Sequence, residues 1–117
     1  MGTRAEILGR LELGLKRYNH GVRVDDDTRT WGTPKDSWME MAKEELLDAI
    51  IYTIADYIRN VRSEGERAPL SFRKNDELDD NKLIMSIVDD WECVESPQHK
   101  MMLWNLFKML DCDIFRN

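Results

Sequence analysis

Apolar residues recur along this chain at spacings of three and four and nowhere in strict alternation, the pattern of helices rather than strands. In AEILGRLELGLKRY, residues 5 to 18, Ile7, Leu8, Leu11, Leu15 and Tyr18 fall on one helical face. Gly9 and Gly14 each weaken that helix by up to about 1 kcal/mol relative to Ala. They also leave room for another backbone or a ligand, and His20-Gly21 is the expected stop. Residues 21 to 37, GVRVDDDTRTWGTPKDS, form a polar connection longer than a simple turn.

Asp36 or Ser37 then caps a second helix, with Glu40 placed to complete a capping box. It is predicted from Trp38 to about Arg62, with no Gly or Pro inside it. SEGERAPLS, residues 63 to 71, breaks the pattern at Gly65 and Pro69. A third helix is predicted from about Asp76 to Val94, its acidic first turns suited to the positive end of the helix dipole. Ser96-Pro97 opens a fourth, to about Leu110. Apolar residues cover most of that last helix, so part of it is expected to pack against another chain. The expected fold class is all-α, a four-helix bundle over residues 1–117 as a single domain, completed by homo-oligomerisation.

Composition narrows the function. The chain is 42% hydrophobic, enough for a core, with a formal net charge of -6. That charge argues against default affinity for nucleic acid or an anionic membrane. No apolar run approaches a membrane span, and MGTRAEILGRLE has no apolar signal core, so a cytoplasmic location is expected. Cys93 and Cys112 are too far apart in sequence to read as a metal-ligand pair, and Cys93 is expected as a buried reduced thiol.

The chemistry concentrates in KEELLDAIIYT, residues 43 to 53. At about 100° per residue, Met41, Glu44, Glu45, Asp48, Tyr52 and Asp56 share one sector of the second helix, with Glu40 off its edge. Four acids at helical spacing with no Lys or Arg among them repel one another. A solvated edge is one explanation; a bound cation or a basic partner is the other. The stripe is expected to adjoin the apolar face of its helix. Oxygen ligands without His or Cys suit Mg²⁺ or Mn²⁺ rather than zinc or copper. A di-iron carboxylate site would require Glu-x-x-His, and neither His20 nor His99 has a Glu three residues before it.

EELLDAIIYTIADYI, residues 44 to 58, resembles the acidic helix of MazG-like members of the all-α NTP pyrophosphatase superfamily. KRYNHGVRV, a connection and DSWMEMAKEELLDAIIYTIADYI extend the likeness to the short phage-type versions, over about residues 6 to 60. The resemblance implies Mg²⁺- or Mn²⁺-dependent hydrolysis of (deoxy)nucleoside triphosphates, a purine such as dGTP among them. The products would be a nucleoside monophosphate and pyrophosphate, in control of a nucleotide pool. It also implies a homodimer or homotetramer, in the host cytoplasm if the source is viral.

The family writes its metal-binding acids as EExxE and, one helix later, ExxD, and this chain departs from that pattern. EELLD stands as the first half, with Glu77 and Asp80 completing the site from the third helix. Alternatively, Glu45-x-x-Asp48 stands as the second half, with Glu12 the partner acid from the first helix. The second is preferred, because ELLDAIIYTI looks more like the ExxD helix. Glu44, Glu45 and Asp48 stay in the expected metal and catalytic site under both, with Glu44 sharing a metal or orienting the attacking water.

For the phosphates, Lys16, Arg17, Arg23, Arg29 and Lys82 are candidate cations, ordinary solubility being their alternative role. Trp31, in a polar loop, reads either as a stacking platform for a nucleobase or as an anchor for the loop. Asp25, Asp26 and Asp27 read as a turn, and Trp38, Trp91 and Trp104 as core or interface. Tyr52, in line behind the acids, is a substrate-binding candidate. The competing class is a non-catalytic α-helical dimer or adaptor whose acidic stripe docks a basic partner.

Overall fold

The computed structural model describes residues 2–115. Among them are four α-helices and no strand: α1 (Thr3–Tyr18), α2 (Trp38–Arg62), α3 (Asn81–Asp89) and α4 (Pro97–Leu110), with short 3₁₀ turns between and after them. The chain is all-α. It divides into two compact units, residues 1–36 and 37–117.

In the first unit, α1 buries none of its residues, and Ile7, Leu8, Leu11, Leu15 and Tyr18 remain exposed. It ends one residue before the expected stop. Asn19 takes the left-handed conformation (φ 65°), and its N–H donates to the Leu15 carbonyl, the conformation that Asn tolerates best after Gly.

The connection that follows is a folded loop. A 3₁₀ turn, Thr28–Trp31, is started by Asp27, whose carboxylate accepts from the Arg29 N–H, and closed by Gly32 at φ 106°. Thr28 and Thr33 are its buried residues, their hydroxyls 2.8 Å apart, and Asp36 accepts from the Thr28 N–H at 3.0 Å. Burying two hydroxyls is tolerable because each has a partner.

The second unit is built on α2, whose observed limits are those predicted. Ser37 caps it, its hydroxyl accepting from the Glu40 N–H at 3.2 Å. One face of α2 supplies Ile50, Ile54, Tyr57 and Ile58 to a core completed by Ile87, Val94, Leu103 and Leu106. Phe72 and Trp91 rim it: the Phe72 ring meets Tyr57 edge-on at 5.7 Å, and Trp91 lies 5.7 Å from Phe107. Ile54 and Leu103 are fully buried, so α2 and α4 meet through side chains with no solvent contact. Burial of this kind stabilises by roughly 1.5–3 kcal/mol per large aliphatic side chain.

Two expectations are corrected here. The third helix is shorter than the predicted span from Asp76 to Val94. Asn75 and Asp79 bind the N–H groups of Glu77 and Asn81 with their own side chains, at 2.8 and 3.0 Å. This offers the backbone an alternative to helix. After Asp89 the chain turns through a separate 3₁₀ segment, Trp91–Cys93. Cys93, expected inside, is exposed, and a hydrogen bond with Asp90 pushes its thiol above the usual range. Of the tryptophans read as core or interface, Trp91 packs against the core, and Trp38 and Trp104 lie at the surface of the chain, 39% and 46% exposed. Among the described residues no helix is long and apolar enough to cross a membrane.

Candidate functional site

Because α2 is continuous from Trp38 to Arg62, its acids hold the helical register that the sequence implies. Glu44 and Glu45 are exposed and Asp48 is half-buried. The stripe adjoins the apolar face of the helix through Leu47 and Ile51 and not through its most buried residues. At 100° per residue Asp48 lies about 160° around the helix from Ile50, and Tyr52 about 160° from Ile54. Asp48 and Tyr52 therefore point away from the core, while Glu44 lies about 80° from Ile54, beside the partly exposed Leu47 and Ile51. Among the described residues of the second unit, no salt bridge or side-chain hydrogen bond engages Glu44, Glu45 or Asp48. The first cation on the same face is Arg59. It lies about 16 Å along the axis from Asp48, so the acidic end of the stripe has no cation on its own face of the helix; Lys43, next in sequence to Glu44, donates instead to the Phe115 carbonyl.

The stripe ends in a groove. Tyr52, Asp56 and Asn60 of α2 and Gln98, His99 and Met102 of α4 line an open hollow of ≈ 410 Å³. Asp56 is occupied there: His99 Nε2 lies 2.7 Å from its Oδ2. A carboxylate only accepts, so Nε2 carries the proton. The other ring nitrogen, Nδ1, sits 2.5 Å from the Ser96 hydroxyl, which also accepts from the His99 N–H as the cap of α4. Ser96, His99 and Asp56 thus form a chain across two helices. Sequence reasoning missed His99 and Arg59. The helical wheel already held Arg59, whereas nothing local signals a bond between residues 43 apart.

The acids considered for the rest of the site are placed differently from expectation. Glu77 and Asp80 do not share a helical face: Glu77 lies in the connection, and Asp80 is the residue that precedes α3. Both are engaged. Arg62 donates to Asp80 at 2.9 Å, holding its carboxyl below the usual range, while Glu77 lies 3.8 Å from Lys82. Lys82 is almost wholly solvent-exposed.

In the first unit, Glu12 and Lys16 lie one turn apart on α1, both exposed. Arg29 grips Asp27 at 2.6 Å and, by that hydrogen bond, lowers its pKa from 3.8 to about 2. Trp31 meets the Tyr18 ring edge-on at 5.5 Å while staying 41% exposed. Anchoring the loop is thus one of its roles.

Among the described residues no group of three or more His, Cys, Asp and Glu side chains is arranged to hold a metal ion. The donor chemistry nevertheless fits Mg²⁺ or Mn²⁺. Glu45 and Asp48 are carboxylates one turn apart with no partner among the described residues of the second unit, and Mg²⁺ is commonly held by one or two carboxylates with waters and substrate phosphates filling the remaining positions.

No protein-family model, curated protein or solved structure matches this chain.

Proposed function

We propose that this chain is a MazG-like, metal-dependent pyrophosphohydrolase that converts (deoxy)nucleoside triphosphates to the monophosphate and pyrophosphate. One observation carries the reading: Glu44, Glu45 and Asp48 form a carboxylate array with no partner among the described residues of the second unit, on a face of α2 that carries no cation before Arg59. Like charges so placed repel, and an imported cation removes that cost.

In this reading Glu45 and Asp48 hold Mg²⁺ or Mn²⁺. When bound, the ion supplies charge neutralisation on the phosphates and a more acidic water. Glu44 orients the attacking water and takes its proton. Tyr52, one turn beyond Asp48, faces the nucleoside end of the substrate, and Lys16, Arg29, Trp31 and Lys82 remain the candidates for the rest of it. A homodimer or homotetramer belongs to the same proposal. It is supported by the exposed apolar stripe of α1, which in water favours association.

Incubation with each NTP and dNTP in Mn²⁺ or Mg²⁺, with the products resolved, tests the enzyme. Monophosphate plus pyrophosphate, lost in Asp48→Asn, is the expected result. Absence of turnover together with absence of any metal-dependent thermal shift overturns it.

The alternative, a non-catalytic adaptor, is favoured by one observation: Leu47 and Ile51, each 44% exposed, flank the acids. A mixed acidic and apolar face of that kind suits a basic amphipathic partner.

A further inference from the structure

A second recess lies on α4, formed by residues of that helix that do not line the groove at Asp56. Trp91, Glu92, Pro97, Lys100, Met101 and Trp104 line an open hollow of ≈ 480 Å³, within the size range of small-ligand sites. Its walls are mostly aromatic and thioether, with one ammonium and one carboxylate. Trp91 is held by its contact with Phe107. Trp104 is held by Lys108, whose Nζ sits 4.1 Å from the ring centroid. Lys108 does not line the hollow, so it does not fill it. Both indoles are therefore positioned before any ligand arrives, which lowers the ordering cost of binding.

Charge sets the class of occupant. The chain as a whole carries -6, yet α4 has Lys100 and Lys108 and no acid. Lys100 and Lys108 stand one turn before and one turn after Trp104, on the same face. Among the described residues of the second unit, no salt bridge engages Lys100. Glu92, from the 3₁₀ segment that precedes α4, makes the hollow unsuited to a plain polyanion and supplies an acceptor for a ring N–H.

We propose that this recess binds a planar aromatic ring that carries an N–H donor and one anionic group. The ring packs on Trp104 and Trp91, Lys100 meets the anion, and Glu92 accepts from the ring's amino edge. The site shares no residue with the acidic stripe and stands independently of the hydrolase reading.

Intrinsic tryptophan fluorescence of the full chain in EDTA tests it, with adenosine monophosphate as the probe and adenosine and inorganic phosphate as controls. Saturable quenching by the monophosphate is expected, accompanied by a shift of the Met101 methyl resonance. Affinity falls about tenfold in Trp104→Ala, from the lost stacking, and about fivefold in Lys100→Gln. Trp104 is 46% exposed and Lys100 is exposed, and Asp48→Asn leaves the quenching unchanged.

Each of four results overturns the proposal. One is the absence of saturable quenching; another is equal binding of adenosine and its monophosphate. A third is loss of quenching in Asp48→Asn, which moves the ligand to the stripe. The last is Trp104 emission that responds to dilution and not to ligand, which assigns the recess to a second copy of the chain.

Discussion

His99 Nε2 hydrogen-bonds Asp56 Oδ2 at 2.7 Å, and this bond ties the first turn of α4 to the solvent-facing stripe of α2. The imidazole is mostly covered and the carboxylate mostly exposed, their side chains retaining 14% and 62% of their accessible surface. A half-exposed pair is screened by solvent, so its coupling is small, about 0.5–1 kcal/mol. A double-mutant cycle with Asp56→Ala and His99→Ala, read by urea denaturation, gives that value directly. His99→Ala alone costs more than Asp56→Ala, because the ring also packs 5.6 Å from Tyr57.

Leu103 has no exposed surface and bears on the α2 residues of the core. Leu103→Ala removes buried methyl groups and leaves a cavity, at a cost of about 3 kcal/mol. Calorimetry reads this as a lowered Tm. The same truncation at Met109, which is 47% exposed, lowers stability by well under 1 kcal/mol.

Arg62 closes the end of α2 by donating from Nε to the Phe72 carbonyl and from Nη2 to Asp80. Arg62→Ala costs about 1 kcal/mol, chiefly from the backbone bond, since the Asp80 pair is solvent-screened. The Asp80 carboxyl, which Arg62 holds below the usual range, moves back up in the variant. Carboxyl-detected NMR follows it.

In the first unit, Asp27 titrates at about 2 instead of 3.8 because Arg29 donates to it. A depressed carboxylate pKa stabilises the fold above about pH 3.8, and the contribution disappears as pH falls toward 2. Arg29→Gln returns the Asp27 midpoint toward 3.8. It also removes the acid-side loss of loop order, monitored by the Tyr18–Trp31 ring contacts in NMR.

The α2 helix was fully legible in the sequence. An uninterrupted run without Gly or Pro, started by Ser37 and Glu40, leaves the backbone one satisfactory way to pair its N–H and C=O groups, and the limits follow. The start of α4 was legible for the same reason, with Ser96 as cap and Pro97 in the first turn. Spacing alone also placed Glu44, Glu45 and Asp48 on one face, because helical register is a local property.

The tertiary structure decided the rest. Which side of α2 turns inward depends on α3 and α4, and Asp48 proved to lie across the helix from the core while Leu47 and Ile51 stayed partly exposed beside the acids. Whether Glu77 and Asp80 belong to a helix depended on side chains that bind the backbone locally and on Arg62, 18 residues from Asp80. Cys93 lies outside because a 3₁₀ turn follows α3. The bond between His99 and Asp56, and the recess between the two tryptophans, exist only once distant segments have packed. Local propensity carries no information about such pairs, since their free energy arises from contacts that the unfolded chain does not make.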